Sequence, residues 1–138
     1  MKKYKVGYTT GVFDMFHIGH LNIIRRAKEQ CEHLIVGVST DELVESYKHK
    51  TPIIPFAERK AIVEAIRYVD EVVTQDTMDK LAAWNNLRFN VMFHGNEWKG
   101  TVLYNDYVEK FAQVGVEVIF LPHTDGISST LLREKNGK

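Results

Sequence analysis

The feature that most constrains the fold is the regular alternation of short apolar runs with segments of helical period. Each run is short enough to be a buried strand, and the segments between the runs place apolar residues three and four apart, as amphipathic helices do. Strands that alternate with helices predict right-handed crossovers and a doubly wound α/β fold with a mostly parallel, five-stranded, Rossmann-like sheet. The five runs are YKVGY (4–8), HLIVGVS (33–39), EVVT (71–74), NVMFHG (90–95) and VEVIFLP (116–122).

The predicted helices follow these runs in order. Ser39 and Glu42 have the spacing of a capping box, so a helix is predicted to open there. The stretch from Tyr47 to Pro55 is basic and interrupted by proline, which predicts a loop, and another helix is predicted to begin near Pro55. One face of that helix is predicted to carry Ile62, Ala65, Ile66 and Val69. The other helices are predicted over 18–31, 78–87 and 103–114, with a last short one near Ser128.

The composition fits one domain over residues 1–138. Hydrophobic residues make up 44% of the chain and no apolar run approaches the length of a membrane span, so a soluble protein is expected. The first residues include lysines but no apolar h-region, which makes the cytoplasm the expected location. The 18 basic residues balance the 18 acidic ones, so the chain lacks the overall positive field that favours nucleic acid. Cys31, the single cysteine, excludes an intrachain disulfide and is predicted to pack in the core.

Glycine, histidine and hydroxyl residues are concentrated where three of the predicted strands end. In sheets of this class, ligands bind beyond the carboxyl ends of the strands. Any anion site on this electrically balanced chain must be local, and these strand ends are the places to look for it. The three stretches are 9–20, HGNEW (94–98) and PHTDGISST (122–130).

The first of these stretches places His17 and His20 around Gly19, at the start of the first predicted helix. Gly11 and Gly19 allow the backbone to turn tightly and to approach a ligand. The N–H groups in the first turn of a helix favour negative charge. Two imidazoles at such a junction therefore predict a phosphate site.

Two further segments carry donors for phosphate. The hydroxyls of Ser128, Ser129 and Thr130 stand at a predicted helix start, a pattern that also fits an ordinary N-cap. Lys48 and Lys50 lie on the predicted loop, where they fit a solvated pair as well as a pair that closes over a triphosphate.

The sequence has no P-loop, no G-x-G-x-x-G fingerprint and no nucleophile elbow. Nucleotidyl transfer needs none of these, because the attacking group is a phosphate monoester that is already anionic near neutral pH. The reaction needs donors aimed at the α-phosphate and a clamp for the departing pyrophosphate. Imidazoles, lysines, helix N-termini and a divalent ion supply such groups.

The segment GVFDMFHIGH (11–20) resembles the G-x-F-D-x-x-H-x-G-H signature of the HxGH nucleotidyltransferase superfamily, and within it the cytidylyltransferase family, most closely the branch that uses glycerol 3-phosphate. This resemblance implies Mg²⁺-dependent transfer of CMP from CTP to a small phosphorylated alcohol, with release of pyrophosphate, by a homodimer. The likeness extends over nearly the whole chain through STDE (39–42), ERK (58–60), IRYVDEV (66–72), GNEW (95–98) and GISST (126–130).

The resemblance also implies roles for single residues. His17 and His20 would contact the triphosphate and stabilise the transition state, with Lys48 as a third catalytic residue. Arg59 would face the second substrate, and Arg67 would serve that site or a dimer interface. The same likeness implies that Asp14 orients its loop or helps with the metal, whose ligands stay unknown. The implied nucleotide- and phosphate-binding residues are Gly11, Val12, Phe13, Asp14, Gly19, Lys50, Gly95, Asn96, Trp98, His123, Gly126, Ile127, Ser128, Ser129 and Thr130.

Three departures from the family pattern keep other functions open. Val12 replaces a threonine, Asn96 and Glu97 replace paired aspartates, and His123 replaces an arginine. Related sugar-phosphate adenylyltransferases also lack that arginine, so transfer from ATP to a sugar phosphate is an alternative, although RYVDEV and GNEW favour CTP. A nucleotide-binding module without catalysis is another.

A metal-dependent hydrolase is the remaining alternative, because imidazole is a common zinc ligand. Four histidines are predicted to follow strands at the same edge of the sheet, although their spacing matches no recognised zinc motif. They are His17, His20, His94 and His123.

Overall fold

The computed structural model describes residues 3–95 and 100–122, and in them the predicted parallel sheet is present. Every strand pair in this part of the chain is parallel, and the strand order is β3-β2-β1-β4-β5. The predicted α/β fold class is therefore confirmed. The strands are β1 (Tyr4–Gly11), β2 (Cys31–Ser39), β3 (Glu71–Gln75), β4 (Val91–Gly95) and β5 (Glu117–Leu121).

The helices between the strands also follow the predicted order. They are α1 (Ile18–Gln30), α2 (Asp41–Lys48), α3 (Phe56–Glu64), α4 (Lys80–Leu87) and α5 (Val102–Ala112). The short helix predicted near Ser128 lies outside the described residues. Within the described ranges, no helix is long and apolar enough to cross a membrane.

The capping box predicted at Ser39 is wrong, because α2 is capped one residue later. The Thr40 side chain accepts a hydrogen bond from the Leu43 backbone N–H, as an N-cap residue does. Ser39 pairs with Gln75 as the last residue of β2, and the two side chains lie 3.2 Å apart. Pairing with β3 therefore keeps Ser39 in the strand.

The apolar face predicted for α3 is also partly wrong, because the helix ends at Glu64. Ile62 is 44% exposed, and the residues that α3 buries are Arg59 and Val63. Ile66 and Val69 pack against the core from the turn that follows the helix. The error arose because the helical spacing of apolar residues in the sequence continues past Glu64, where the helix ends.

The sheet has a separate hydrophobic core on each face. Leu34 and Val36 of β2 pack with Ile24 of α1 and Val63 of α3, whereas Ile35, between them in sequence, packs on the other face. Successive side chains of a strand point to opposite faces, so the two clusters cover the two sides of one sheet. The second cluster includes Tyr104, Tyr107 and Phe111 of α5. Cys31 is fully buried in the first cluster, as predicted.

A glycine in β1, Gly7, packs closely against side chains of the first core. A Cβ atom on Gly7 would lie 2.8 Å from Cys31 Sγ and 2.9 Å from Phe93 Cε2. We expect Gly7→Ala to lower the free energy of unfolding by about 1–3 kcal/mol, the usual cost of overpacking. Urea unfolding measures this loss, and the double variant Gly7→Ala/Cys31→Ala should recover part of it. Full stability in Gly7→Ala would show that the side chains of Cys31 and Phe93 can shift without cost.

Candidate active site

A cavity of about 260 Å³ opens at the carboxyl edge of the sheet. Its wall includes residues at or beyond the ends of β1 to β4, and it reaches both faces of the sheet. This is the place where α/β sheets of this type bind ligands. The sequence-predicted residues on its wall are Gly11, Val12, Phe13, Asp14, His20, Lys48, His94 and Gly95.

The two histidines of the signature form the N-terminal cap of α1. His17 is the N-cap residue, and its Nδ1 accepts a hydrogen bond of 3.0 Å from the Gly19 N–H. His20 Nδ1 accepts one of 3.1 Å from the His17 N–H, which completes a capping box. The rings stack with their centroids 3.9 Å apart. The sequence predicted an anion site here but not this capping role.

The caps fix which nitrogen of each ring carries the proton. Since each Nδ1 accepts a hydrogen bond, each neutral ring carries its hydrogen on Nε2. Burial lowers the pKa of His17, and burial together with the charge of His17 lowers the pKa of His20 to about 4. Both rings are therefore neutral Nε2–H donors at neutral pH.

Aromatic side chains hold the His20 ring in place. Phe13 meets it edge-on at a centroid distance of 5.6 Å, and Phe16 lies 5.1 Å away. Phe13 has a φ of 55°, in the left-handed region that costs most residues energy. A Cβ atom on Gly11 would lie 3.0 Å from the Phe13 ring, so glycine allows this ring its position.

Asp14 is buried and ties two loops together. Its carboxylate oxygens accept hydrogen bonds of 2.9 Å from the N–H groups of Ile53 and Ile54. These bonds join the β1–α1 loop to the segment between α2 and α3. The position agrees with the loop-orienting role expected for Asp14, and its role toward a metal stays a prediction.

Arg59 does not occupy the substrate-facing position expected of it. Its guanidinium is fully buried and donates to the carbonyl groups of Val12, Ser39 and Ile54 at 2.7–2.8 Å. It also donates to the Asp41 carboxylate at 2.6 Å. The prediction that Arg59 faces the second substrate is wrong for this structure, because its guanidinium N–H groups donate to backbone carbonyls around the cavity.

Arg67 lies away from the cavity in this chain. It is exposed, stands in the turn before β3, and donates to the Tyr68 hydroxyl at 3.0 Å. Asp70, a little further along that turn, donates its N–H to the Leu34 carbonyl near the start of β2, which places the turn toward the opposite end of the sheet. The second-substrate role does not fit this position within one chain. Its placement at a dimer interface stays a prediction.

The two predicted lysines differ in position. Lys48 is the last residue of α2 and lies on the cavity wall. Lys50 is an exposed residue of the following loop and is absent from that wall as the structure describes it. The predicted loop therefore begins later than expected, and the helix brings Lys48 to the site.

Sequence reasoning missed Lys80, which the structure places inside the cavity wall. Lys80 is 3% exposed, and its Nζ donates to Thr10 Oγ1 at 2.7 Å. Burial lowers its pKa from 10.5 to about 7. One signal was present in the sequence: a lysine in the first turn of a helix opposes the helix dipole, which makes it an unusual choice there.

His94 forms a second buried polar contact in the same wall. Its Nε2 lies 3.3 Å from the Tyr104 hydroxyl, and the two rings meet edge-on at 4.7 Å. Burial and the nearby charge of Lys80 lower the pKa of His94 well below its ordinary value. His94 is therefore neutral, with its ring fixed by Tyr104.

Several predicted residues lie outside the described ranges. They are Asn96, Trp98, His123, Gly126, Ile127, Ser128, Ser129 and Thr130. Gly19, which is described, lies buried in the first turn of α1. Among residues 3–95 and 100–122, no three His, Cys, Asp or Glu side chains come together as a metal site.

The fold and this edge define a nucleotidyltransferase-type α/β domain. The sequence model of the cytidylyltransferase-like family matches residues 8–135, and the chain belongs to that family. The chain is 34% identical to glycerol-3-phosphate cytidylyltransferase of Bacillus subtilis over 134 residues, covering 92% of this chain and 93% of that protein. It is 41% identical to mouse ethanolamine-phosphate cytidylyltransferase over 128 residues, covering 87% of this chain and 30% of that protein.

A solved structure shares the fold. The lipopolysaccharide core biosynthesis protein from Thermoplasma volcanium superposes with a TM-score of 0.78 at 22% identity. The match covers 88% of this chain and 99% of that one. It supports the architecture of the sheet and its helices.

Replacing Lys80 by methionine is expected to raise the free energy of unfolding at pH 7. Between pH 7 and 10.5 the unfolded chain binds more protons at this lysine than the folded chain does, so the wild type loses stability as the pH falls through that window. In the variant, this change of the free energy of unfolding with pH is absent. Loss of the hydrogen bond to Thr10 offsets about 1 kcal/mol of the stability that the variant gains. The advantage of the variant should therefore be largest near pH 7.

Urea unfolding across that pH window measures the difference. The matched control is Lys110→Met, since Lys110 is half exposed and pairs only with Asp106 in the described contacts. Its pH slope should equal that of the wild type. Equal slopes in the Lys80 variant and the wild type would contradict a desolvated lysine at this position.

Proposed function

We propose that this chain transfers CMP from CTP to a small phosphorylated alcohol resembling glycerol 3-phosphate, with release of pyrophosphate. The observation that carries the proposal is the pair of neutral Nε2–H donors fixed at the start of α1, on the sheet edge where this family is expected to bind its nucleotide. The names of the relatives support the base and the class of acceptor.

The reaction is an in-line displacement at the α-phosphorus of CTP. An oxygen of the acceptor's phosphate forms a bond to that phosphorus, and the bond from it to the bridging oxygen of pyrophosphate breaks. The acceptor oxygen is already anionic, so no side chain has to remove a proton. The protein's contribution is to align the two phosphates and to stabilise the charge that develops.

The residues at the edge divide this work. His20 is on the described cavity wall, and His17 is not but stacks on His20. Both donate to phosphate oxygens through Nε2–H, and they need no protonation to do so. Lys48, at the end of α2, supplies a positive charge toward the departing pyrophosphate. Gly11 and Val12 belong to the same cavity wall.

Mg²⁺ is proposed to enter with CTP rather than to occupy a site of its own. The carboxylate of the described cavity wall belongs to Asp14, and its oxygens accept the N–H bonds of Ile53 and Ile54. Mg²⁺ usually keeps several waters and is commonly held by substrate phosphates together with one or two carboxylates. No step above is assigned to the ion.

The homodimer is proposed from the family resemblance, with Arg67 at its interface. The exposed position of Arg67 is compatible with this role. Sedimentation analysis of the wild type and of Arg67→Ala tests it, and a monomeric wild type would overturn it. A cytoplasmic location stays a prediction from the sequence.

The proposed reaction is tested by pyrophosphate release from CTP, ATP, GTP and UTP, each with glycerol 3-phosphate and Mg²⁺. We expect release with CTP and formation of a CDP-linked alcohol of the matching mass. Preference for ATP would support the adenylyltransferase alternative, for which His123 in place of arginine is the motivating observation. Nucleotide binding without release would support the inactive module.

Replacing His20 by glutamine is expected to lower kcat by a factor on the order of 10²–10³, the usual effect of losing one transition-state donor. Glutamine at this helix position still accepts the bond from the His17 N–H, as in an ordinary capping box, so the fold should persist. Circular dichroism and steady-state kinetics measure the two effects.

The control for this variant is His33→Gln. His33 is a partly exposed histidine in the first half of β2, where it pairs with Glu71 far from the cavity edge. Its kcat should stay at the wild-type value. An unchanged kcat in His20→Gln would show that the His20 imidazole has no part in catalysis.

A further inference from the structure

A second cavity, of about 280 Å³, lies between strand β3 and helix α4, and we call it the α4 cavity. As the structure describes the two walls, Gln75 and Lys80 belong to both cavities and the other residues of the α4 cavity belong to it alone. Its apolar residues come from the core on the α4 and α5 face of the sheet. They are Tyr8, Val73, Ala83 and Leu87.

The wall of the α4 cavity contains a buried tyrosine hydroxyl. Tyr8 is 2% exposed, and within residues 3–95 and 100–122 its hydroxyl makes no hydrogen bond. A Cβ atom on Gly37 would lie 2.7 Å from the hydroxyl oxygen, so glycine in β2 leaves room for it. Gly37 pairs with Val73 of β3, which lines the α4 cavity. The Tyr8 side chain therefore reaches from β1 across β2 to the cavity.

Packing alone does not account for this hydroxyl. The Tyr8 ring stacks on Phe89 with a centroid distance of 4.8 Å, and a phenylalanine ring would stack there equally well. Burying a hydroxyl without a partner costs free energy, and most buried polar groups in proteins are paired. Burial also raises the pKa of Tyr8, so the hydroxyl keeps its proton at neutral pH and can donate it to an acceptor.

The charges of the wall indicate which molecules suit the α4 cavity. Asp76 and Asp79 belong to its wall. The amine of Lys80 donates to Thr10, which lines the active-site cavity instead. An anion brought into the α4 cavity therefore meets carboxylates, and such like-charge placement discriminates against it.

We propose that the α4 cavity binds a small uncharged molecule with an apolar ring and a hydrogen-bond acceptor for the Tyr8 hydroxyl. The juxtaposition that carries this proposal is an unpaired, buried hydroxyl beside the apolar side chains of Val73, Ala83 and Leu87, in a wall whose carboxylates exclude anions. The volume is near the lower end of the range for small-molecule sites, which suits a molecule of about one ring. The proposal goes beyond the transfer reaction and does not depend on it.

The first test is titration of the protein with benzamide, benzoate and toluene, followed by backbone amide chemical shifts in NMR. Benzamide carries a neutral carbonyl acceptor, benzoate has nearly the same shape with a negative charge, and toluene has the ring alone. We expect a Kd for benzamide on the order of 1 mM, as for a ligand of its size, and at least tenfold weaker binding of benzoate. The shifts should centre on Val73 and Ala83. Equal affinity for benzoate, or shifts centred elsewhere, would overturn the proposal.

The variant Tyr8→Phe removes the hydroxyl and keeps the ring. It should weaken benzamide binding by about two- to tenfold, the usual effect of losing one hydrogen bond, and leave toluene binding unchanged. Its midpoint of thermal unfolding should not fall, because the wild-type hydroxyl is unpaired. The matched control is Tyr68→Phe, on the α1 and α3 face of the sheet, which should change neither affinity. Unchanged benzamide affinity in Tyr8→Phe would contradict the assigned partner.

The variant Ala83→Leu fills the α4 cavity from the helix side. It should weaken both benzamide and toluene by more than tenfold without changing the Kd of CTP. Ala112→Leu is the control, since Ala112 is an exposed residue of α5. Wild-type affinity for benzamide in Ala83→Leu would overturn the proposal.

Two further measurements identify the occupant of the cavity. The Kd of benzamide should be the same with and without saturating CTP, and it should not change with protein concentration. Displacement of benzamide by CTP would assign its binding to the active-site cavity. Weaker binding at higher protein concentration would assign the α4 cavity to a second copy of the chain. Either result would overturn the proposal.

Discussion

The buried guanidinium of Arg59 holds the carboxyl edge of the sheet together. It binds the carbonyls of Val12 after β1 and Ser39 at the end of β2, together with the carbonyl of Ile54 and the Asp41 carboxylate. Hydrogen bonds to a charged group are stronger than neutral ones, and removing the charge would leave several buried acceptors without partners. Together with Asp14, Arg59 therefore fixes the loops that form the cavity, although Arg59 is not itself on the cavity wall as the structure describes it.

On this fixed edge, the histidine pair links the fold to the chemistry. The Nδ1 atoms accept hydrogen bonds from backbone N–H groups at the start of α1 and so stabilise the helix. Because each Nδ1 is an acceptor, the hydrogen of each neutral ring is on Nε2, which can donate to a ligand. Neutral donors held by the backbone need little reorganisation during the reaction, which is how preorganised sites lower a barrier. Lys80 lies on the wall of the same cavity, where burial makes its positive charge costly and lowers its pKa to about 7.

The alternating pattern was sufficient to predict the fold, because buried parallel strands and amphipathic helices have different periods. Element ends were less predictable: Ser39 and Thr40 are both capable N-caps, and only pairing with β3 decides between them. The signature predicted where the histidines lie but not their capping. Arg59 and Lys80 show the limit of sequence reasoning, since a charged residue in a helix suggests an exposed side chain unless long-range contacts are known. The carbonyls of Val12 and Ser39 and the hydroxyl of Thr10 come from distant parts of the chain.

The proposed reaction requires the histidine donors to face the phosphates of CTP at the carboxyl edge of the sheet. A crystal structure of the protein with CTP and Mg²⁺ would show whether they do. We expect phosphate oxygens within hydrogen-bond distance of the Nε2 atoms of His17 and His20. A triphosphate bound elsewhere, or imidazole rings turned away from it, would rule out this role for the histidines.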